Sequence, residues 1–113
     1  MRKNNDGENE TSSKSEFRKN YGKGKGHPAY IYAKIGNDYK YLGLTHSDIT
    51  KGVKNIKLDK NPNPLDKRSA YVRPKAEKEK TRNFGKKLKG WKFTKEDKQK
   101  INKCKNSHKK RTT

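Results

Sequence analysis

His27, His46 and Arg73 are the residues of this chain best suited to move protons and hold a phosphate. Four tyrosines, Tyr30, Tyr32, Tyr39 and Tyr41, are spaced to share a surface. Imidazole changes charge near neutral pH, so two histidines can act as base and acid in one reaction. An arginine beside them can hold a phosphate while negative charge builds in the transition state. Such a set fits metal-independent cleavage of RNA: one imidazole activates the 2′-hydroxyl and the other protonates the 5′-oxygen. Arg73, with Ser69 and Tyr71 close by in sequence, steadies the pentacoordinate phosphate. Each histidine alone has a plainer use, His27 as the end of a tether before Pro28 and His46 as the cap of a turn.

Other chemistries drop out. Asp48, Asp59 and Asp66 are scattered among lysines without a paired carboxylate, so no two-metal centre is expected. Cys104 is the single cysteine, which removes an internal disulfide, and no Cys and His cluster has zinc-ligand spacing. Gly22, Gly24 and Gly26 precede the first regular strand pattern and no GK[ST] is present, which argues against a nucleotide loop. No metal and no cofactor is expected.

For the two histidines to meet, the segment between them must fold back on itself. Ile31, Ala33 and Ile35 alternate with Tyr30, Tyr32 and Lys34, and beyond Asn37-Asp38 the tyrosines 39 and 41 alternate with Leu42 and Leu44. This is a β-hairpin pattern. An even loop centred on Asn37-Asp38 pairs Ala33 with Leu42 and Ile31 with Leu44, giving an aliphatic core face and a face carrying the four tyrosines. It also brings His27 and His46 to the same end. The tyrosine face is packed under Trp91 and Phe93, or open as a platform on which unpaired bases stack at roughly 1 to 3 kcal/mol each, or partly covered with two or three tyrosines left for a ligand.

Residues 1–26 read as a disordered arm ending in a flexible Gly-Lys tether, since Phe17 and Tyr21 are their only aromatic residues. Residues 27–105 read as one small domain, and residues 106–113 as a frayed basic tail. Within the domain, Thr45 and Ser47 can cap a short helical turn reaching about Lys51, and Val53 to Leu58 has strand spacing. Asn61-Pro62-Asn63-Pro64 is a turn by chemistry. Ala70 to Arg73 is a short strand, Lys75 to Arg82 a solvated stretch, and Gly90 to Phe93 a last strand. Thr94 with Asp97 three residues on opens a helix from Lys95 to about Lys105, anchored by Ile101 and Cys104. The fold class expected is α+β: a small curved antiparallel sheet with a leading hairpin, a C-terminal helix and disordered basic ends.

Thirty-two Lys and Arg against 12 Asp and Glu leave a charge of +20 on 113 residues. The arm holds only +3 of it, so the excess lies on the folded part. Such a surface seeks a polyanion, because each cation that neutralises a phosphate releases a condensed counterion. Nucleic acid is the partner expected, with Lys34, Thr45, Arg68 and Tyr71 joining the tyrosines in binding. No run of about 18 apolar residues is present and no signal-peptide pattern follows Met1, so no membrane is expected and the protein is read as cytoplasmic.

His27-Pro28-x-Tyr30-x-Tyr32, Gly43-Leu44-Thr45-His46-Ser47, Asn61-Pro62-Asn63-Pro64 and Tyr71-x-Arg73-Pro74 together resemble small proteins of phages and integrative elements of Gram-positive bacteria. These are similar in turn to the nuclease superfamily that groups barnase, EndoU, colicins and RelE-type toxins. The resemblance covers about residues 27 to 104. It implies a helix on a small curved sheet with an RNA-binding or RNA-cleaving face, carried by His27, Tyr30, Thr45, His46, Tyr71 and Arg73. The expectation is therefore a binder of RNA, favoured over DNA, or of single-stranded nucleic acid, belonging to a phage or mobile element, with metal-independent ribonuclease activity as a separate hypothesis. The rival is a non-enzymatic accessory or inhibitor that docks on a host nucleoprotein complex such as a CRISPR effector or the ribosome.

Overall fold

Three long strands form the centre of the sheet: β1 (Thr11–Asn20), β2 (His27–Ile35) and β3 (Asp38–Thr45). The computed structural model describes the backbone of residues 11–110 and side chains through Cys104. After these come β4 (Ile49–Thr50), β5 (Val53–Lys54), β6 (Ile56–Lys57), β7 (Tyr71–Val72), β8 (Glu77–Lys80), a 3-10 turn (Thr81–Asn83), β9 (Phe84–Lys87) and the helix α1 (Lys95–Lys110). The sheet is antiparallel with order β6-β7-β3-β2-β1-β9, and β8 pairs with the first half of β3, on the edge whose second half takes β7. The architecture is the α+β one expected, a curled sheet with one C-terminal helix.

The curl follows from β8 and β9. They are joined by only the three residues of the 3-10 turn, yet β8 pairs with β3 and β9 with β1. The sheet must bend round to meet itself. Phe84 of β9 therefore packs edge-on against Tyr39 and Tyr41 of β3, with ring centroids 5.1 and 5.3 Å apart, although β1 and β2 lie between those strands in the sheet.

Both faces of the hairpin are consequently buried. Inside the curl lie Ala29, Ile31 and Tyr41, backed by Tyr39 and Phe84. On the other face Phe17, Tyr30, Leu42, Leu44, Leu58, Ala70 and Val72 meet Ile101 and Cys104 of α1. Ile31, Leu42 and Val72 are fully buried, each worth about 1.5 to 3 kcal/mol.

This corrects the expected division into one aliphatic and one tyrosine face. The loop is even, as parity requires, but it is Gly36-Asn37, because Gly36 takes the positive φ of 57° that a two-residue hairpin needs at its first position. The register then shifts between Ile31 and Ala33, leaving Tyr32 as a bulge, and from there outward the side chains of β2 are exchanged between faces relative to those of β3. Ile31 pairs with Tyr41 and Tyr30 with Leu42.

The expected disordered arm is corrected over residues 11–26. Thr11 to Asn20 is a strand paired to the whole of β2, with Phe17 buried. The Gly-Lys run is a built turn, and composition misled because its glycines are demanded by close approach. A side chain at Gly22 would collide with the Glu79 carboxylate, and one at Gly24 would lie 2.7 Å from Asn20 Cβ. Residues 1–10 and 111–113 of the expected ends lie outside the described residues.

Four smaller corrections concern the second half. The expected turn of helix after Thr45 is instead the β4–β5 finger. Lys75 to Arg82 contains β8 rather than only solvated chain, because its backbone completes the edge of β3. The last strand is β9, and Gly90 to Phe93 is irregular, with Trp91 and Phe93 packed on the outer cluster. The helix runs past Lys105 to Lys110. Its cap is as expected, with the Asp97 N–H donating to Thr94 Oγ1 at 3.1 Å. The buried Asp97 carboxylate also accepts the N–H groups of Asp59 and Lys60 at 2.8 and 3.1 Å, which ties α1 to the chain after β6.

Glu79 is the second buried carboxylate. It accepts hydrogen bonds from Asn20 Nδ2 (2.8 Å), Tyr41 Oη (3.1 Å), the Lys23 N–H (3.0 Å) and Asn83 Nδ2 (2.7 Å). Burial raises its pKa, but these donors outweigh burial and hold it below the ordinary glutamate value. A carboxyl lowered in the native state contributes stability that is full above its unfolded pKa and is lost as pH falls through the native one. Glu79→Ala strands four donors and is expected to cost about 3 kcal/mol in urea unfolding. Glu79→Gln should lose less stability than the parent between neutral and acid pH; an equal loss would remove Glu79 from the acid transition.

Candidate functional site

At the end of the sheet where β2 begins, three loops converge on a cleft of about 260 Å³. The β1–β2 turn supplies Lys23, Gly24 and Lys25, the β4–β5 finger supplies Thr50 and Lys51, and the segment after β7 supplies Arg73 and Lys75. His27 and Thr45 stand at its edge, and Glu77 is its one carboxylate. Among the described residues none of the five cations has a carboxylate within ion-pair distance.

The turns hold these lysines by an uncommon backbone. Lys25 and Lys51 are the only described non-glycine residues at positive φ, 50° and 51°, and each precedes a glycine also at positive φ. The pair of left-handed residues is that of a type I′ turn, which prefers Asn-Gly to Lys-Gly. The His27 N–H donates to the Gly24 carbonyl at 2.9 Å and closes the first turn. Asn20 holds the loop from within, its Oδ1 accepting the Gly22 N–H at 2.9 Å and its carbonyl the Gly26 N–H at 2.6 Å. Across the cleft, the Arg73 N–H bonds the Gly43 carbonyl at 2.9 Å, and the arginine stem lies over Gly43, whose missing Cβ would stand 3.5 Å from Arg73 Cδ.

A second, smaller depression of about 50 Å³ shares His27, Pro28, Leu44 and Thr45 with the first and adds His46, Asn61, Asp66 and Trp91. The two hollows share these lining residues at the end of the sheet, where one borders the inner cluster and the other the outer; together they are the candidate groove, and the two histidines both line its smaller part. His46 Nδ1 lies 3.0 Å from the Ser69 carbonyl, where it can only donate, and its Nε2 is 3.6 Å from Asp66 Oδ2.

The other expected binding residues divide. Arg68 is held by Asp66 in a two-point contact of 3.0 and 2.9 Å, which lowers the Asp66 pKa to about 2, so its guanidinium is already engaged. Tyr30 is buried against Phe17 and Phe93, its hydroxyl donating to Ser15 Oγ. Tyr41 is buried, its pKa raised by burial and by the charges of Glu77 and Glu79. Tyr39 lies between Phe84 and the Arg18 guanidinium, and Tyr32 packs against the outer cluster with Lys40 Nζ 6.0 Å from its ring. No open four-tyrosine platform exists: the rings are split between two cores. Lys34 and Tyr71 are half-buried and do not line the groove.

Sequence reasoning missed Lys23, Lys25, Lys51 and Lys75. The signal for two of them was present in the dipeptides Lys25-Gly26 and Lys51-Gly52, each at a hairpin turn. Among the described residues no cluster of three or more His, Cys, Asp or Glu is placed to hold a metal, and no helix is long and apolar enough to cross a membrane. In comparisons with known proteins the chain matches no family model, no curated protein and no solved structure.

Lys25→Asn and Lys51→Asn relieve left-handed strain and should each raise stability by about 1 kcal/mol in thermal or urea unfolding. Loss of stability in both would mean that the lysine side chains hold the loops.

Proposed function

We propose that the protein binds nucleic acid, RNA in preference to DNA, by taking a single strand into the groove. The observation that carries this reading is the convergence of Lys23, Lys25, Lys51, Arg73 and Lys75 from three loops around one cleft that Glu77 alone lines as a carboxylate. A loop-built pocket of this size admits nucleotide-sized groups and excludes a duplex. Thr45 supplies a hydroxyl at the junction of the two hollows, where a 2′-hydroxyl can be met, and Trp91 offers an aromatic surface in the smaller one. The excess of 20 positive charges adds long-range attraction.

Binding through the cleft should weaken as salt rises, with a log–log slope of about −0.7 for each phosphate that the cations neutralise. Arg73→Ala should weaken binding and flatten that slope by about 0.7. Fluorescence anisotropy with a short labelled RNA measures both. A salt-independent affinity, or an Arg73→Ala variant that binds as the parent does, would point to a protein partner.

A second reading, metal-independent RNA cleavage, is favoured by the shared depression of His27 and His46 beside Thr45. It also agrees with the resemblance to the nuclease superfamily. Incubation with labelled RNA in EDTA should give products that disappear in His27→Ala and fall in His46→Ala; intact RNA at stoichiometric protein excludes it.

A further inference from the structure

The groove is electrically lopsided. Its five lysines and arginines all line the larger hollow, and the smaller one holds His27, His46, Asn61, Trp91 and the carboxylate of Asp66 with no lysine or arginine in its lining. A site that follows the interior of a strand meets one phosphate per nucleotide and needs its cations spread along the path. Here they are gathered at one end. We infer that the basic hollow receives a terminal phosphate, the phosphate-bearing end of a nucleic-acid strand, with the adjoining sugar at His27 and Thr45 and the base toward Trp91. This rests on the nucleic-acid-binding reading and names the part of the strand that is read.

Four further points agree. An internal phosphodiester carries a single negative charge, whereas a phosphate monoester carries about −1.5 to −2 near neutral pH and has three strong acceptor oxygens. Five cations against Glu77 match the more highly charged group better. Gly24, Ala29 and Gly43 are among the lining residues, so part of the cleft wall carries no long side chain and lets a compact anion come close to the backbone. The stem of Arg73 lies flat on Gly43, leaving its planar fork free for two-point contact with a phosphate. Finally, the loop bearing Lys23 and Lys25 is locked from below by Asn20 and Glu79, so the backbone that carries these lysines is held in place before any ligand arrives.

The test compares one RNA sequence, about ten nucleotides long, in four forms: both ends hydroxyl, 5′-phosphate, 3′-phosphate, and the hydroxyl form with an equal concentration of the matching nucleoside monophosphate added. Binding is read by anisotropy at 150 mM salt. One of the two phosphorylated forms should bind at least about tenfold more tightly than the hydroxyl form, the scale of one strong charge-assisted contact. Lys25→Asn keeps the turn and should reduce that preference to less than threefold while changing hydroxyl-form binding less. Equal affinity of all forms overturns the inference and leaves nucleic-acid binding standing. Complete displacement by the free mononucleotide at the oligonucleotide's own concentration overturns it in favour of a nucleotide site. Failure of every form to bind overturns this inference and the proposed function together.

Discussion

One carboxylate governs the working end of this molecule. Glu79 reaches from β8 to Asn20 at the end of β1, to the Lys23 backbone in the following turn, to Tyr41 on β3 and to Asn83 in the 3-10 turn. Those four groups come from the two margins and the centre of the curled sheet, so a single buried anion closes the curl. The arrangement is also why Gly22 admits no side chain: its Cβ position is where the carboxylate sits. In a chain with so few apolar residues, hydrogen bonds to a buried charge supply a fixed geometry that packing alone would not. Lys23, Lys25 and His27 inherit their positions from it.

The same shortage of apolar residues explains the fate of the tyrosines. A sheet curled enough to bury both faces needs more large side chains than the aliphatics of this chain provide. Tyr30 joins Phe17 and Phe93 on the outer face, and Tyr41 joins Phe84 within the curl. Each buried hydroxyl then finds a partner, Ser15 for Tyr30 and Glu79 for Tyr41. Aromatics that by pattern alone could have been a binding platform are spent as core.

What could be read beforehand follows from what is local. The hairpin, the Asn-Pro turn, the strand at Tyr71 and the Thr94–Asp97 cap depend on neighbours in sequence, and all are present. So is the placing of His27 and His46 at one end of the hairpin, because it needs only that the hairpin close, and it survives the register shift. The bulge at Tyr32 was hidden because nothing in the alternation marks it, and one extra residue exchanged the faces beyond it. β1 was hidden for a different reason. Its sequence is polar, and only Phe17 and Asn20 are buried; the strand exists because β2 offers it an edge and Glu79 anchors its end. The same composition that reads as a flexible linker is also that of a tight turn, and the two differ only through contacts about 60 residues away.

The site and the stability of the fold pull against each other. Five cations line one cleft with a single carboxylate among them, so their mutual repulsion opposes the folded state. Two of them add left-handed backbone strain at Lys25 and Lys51, where asparagine would sit more easily. A fold this small has little surplus with which to tolerate either. Such costs persist when the surrounding structure over-determines them, and Asn20 and Glu79 do that for one loop as the β4–β5 pairing does for the other. An anion bound among these charges would cancel the repulsion that the native state carries and the unfolded chain does not. By linkage, the energy that this repulsion costs the native state is recovered as affinity for any anion that binds there.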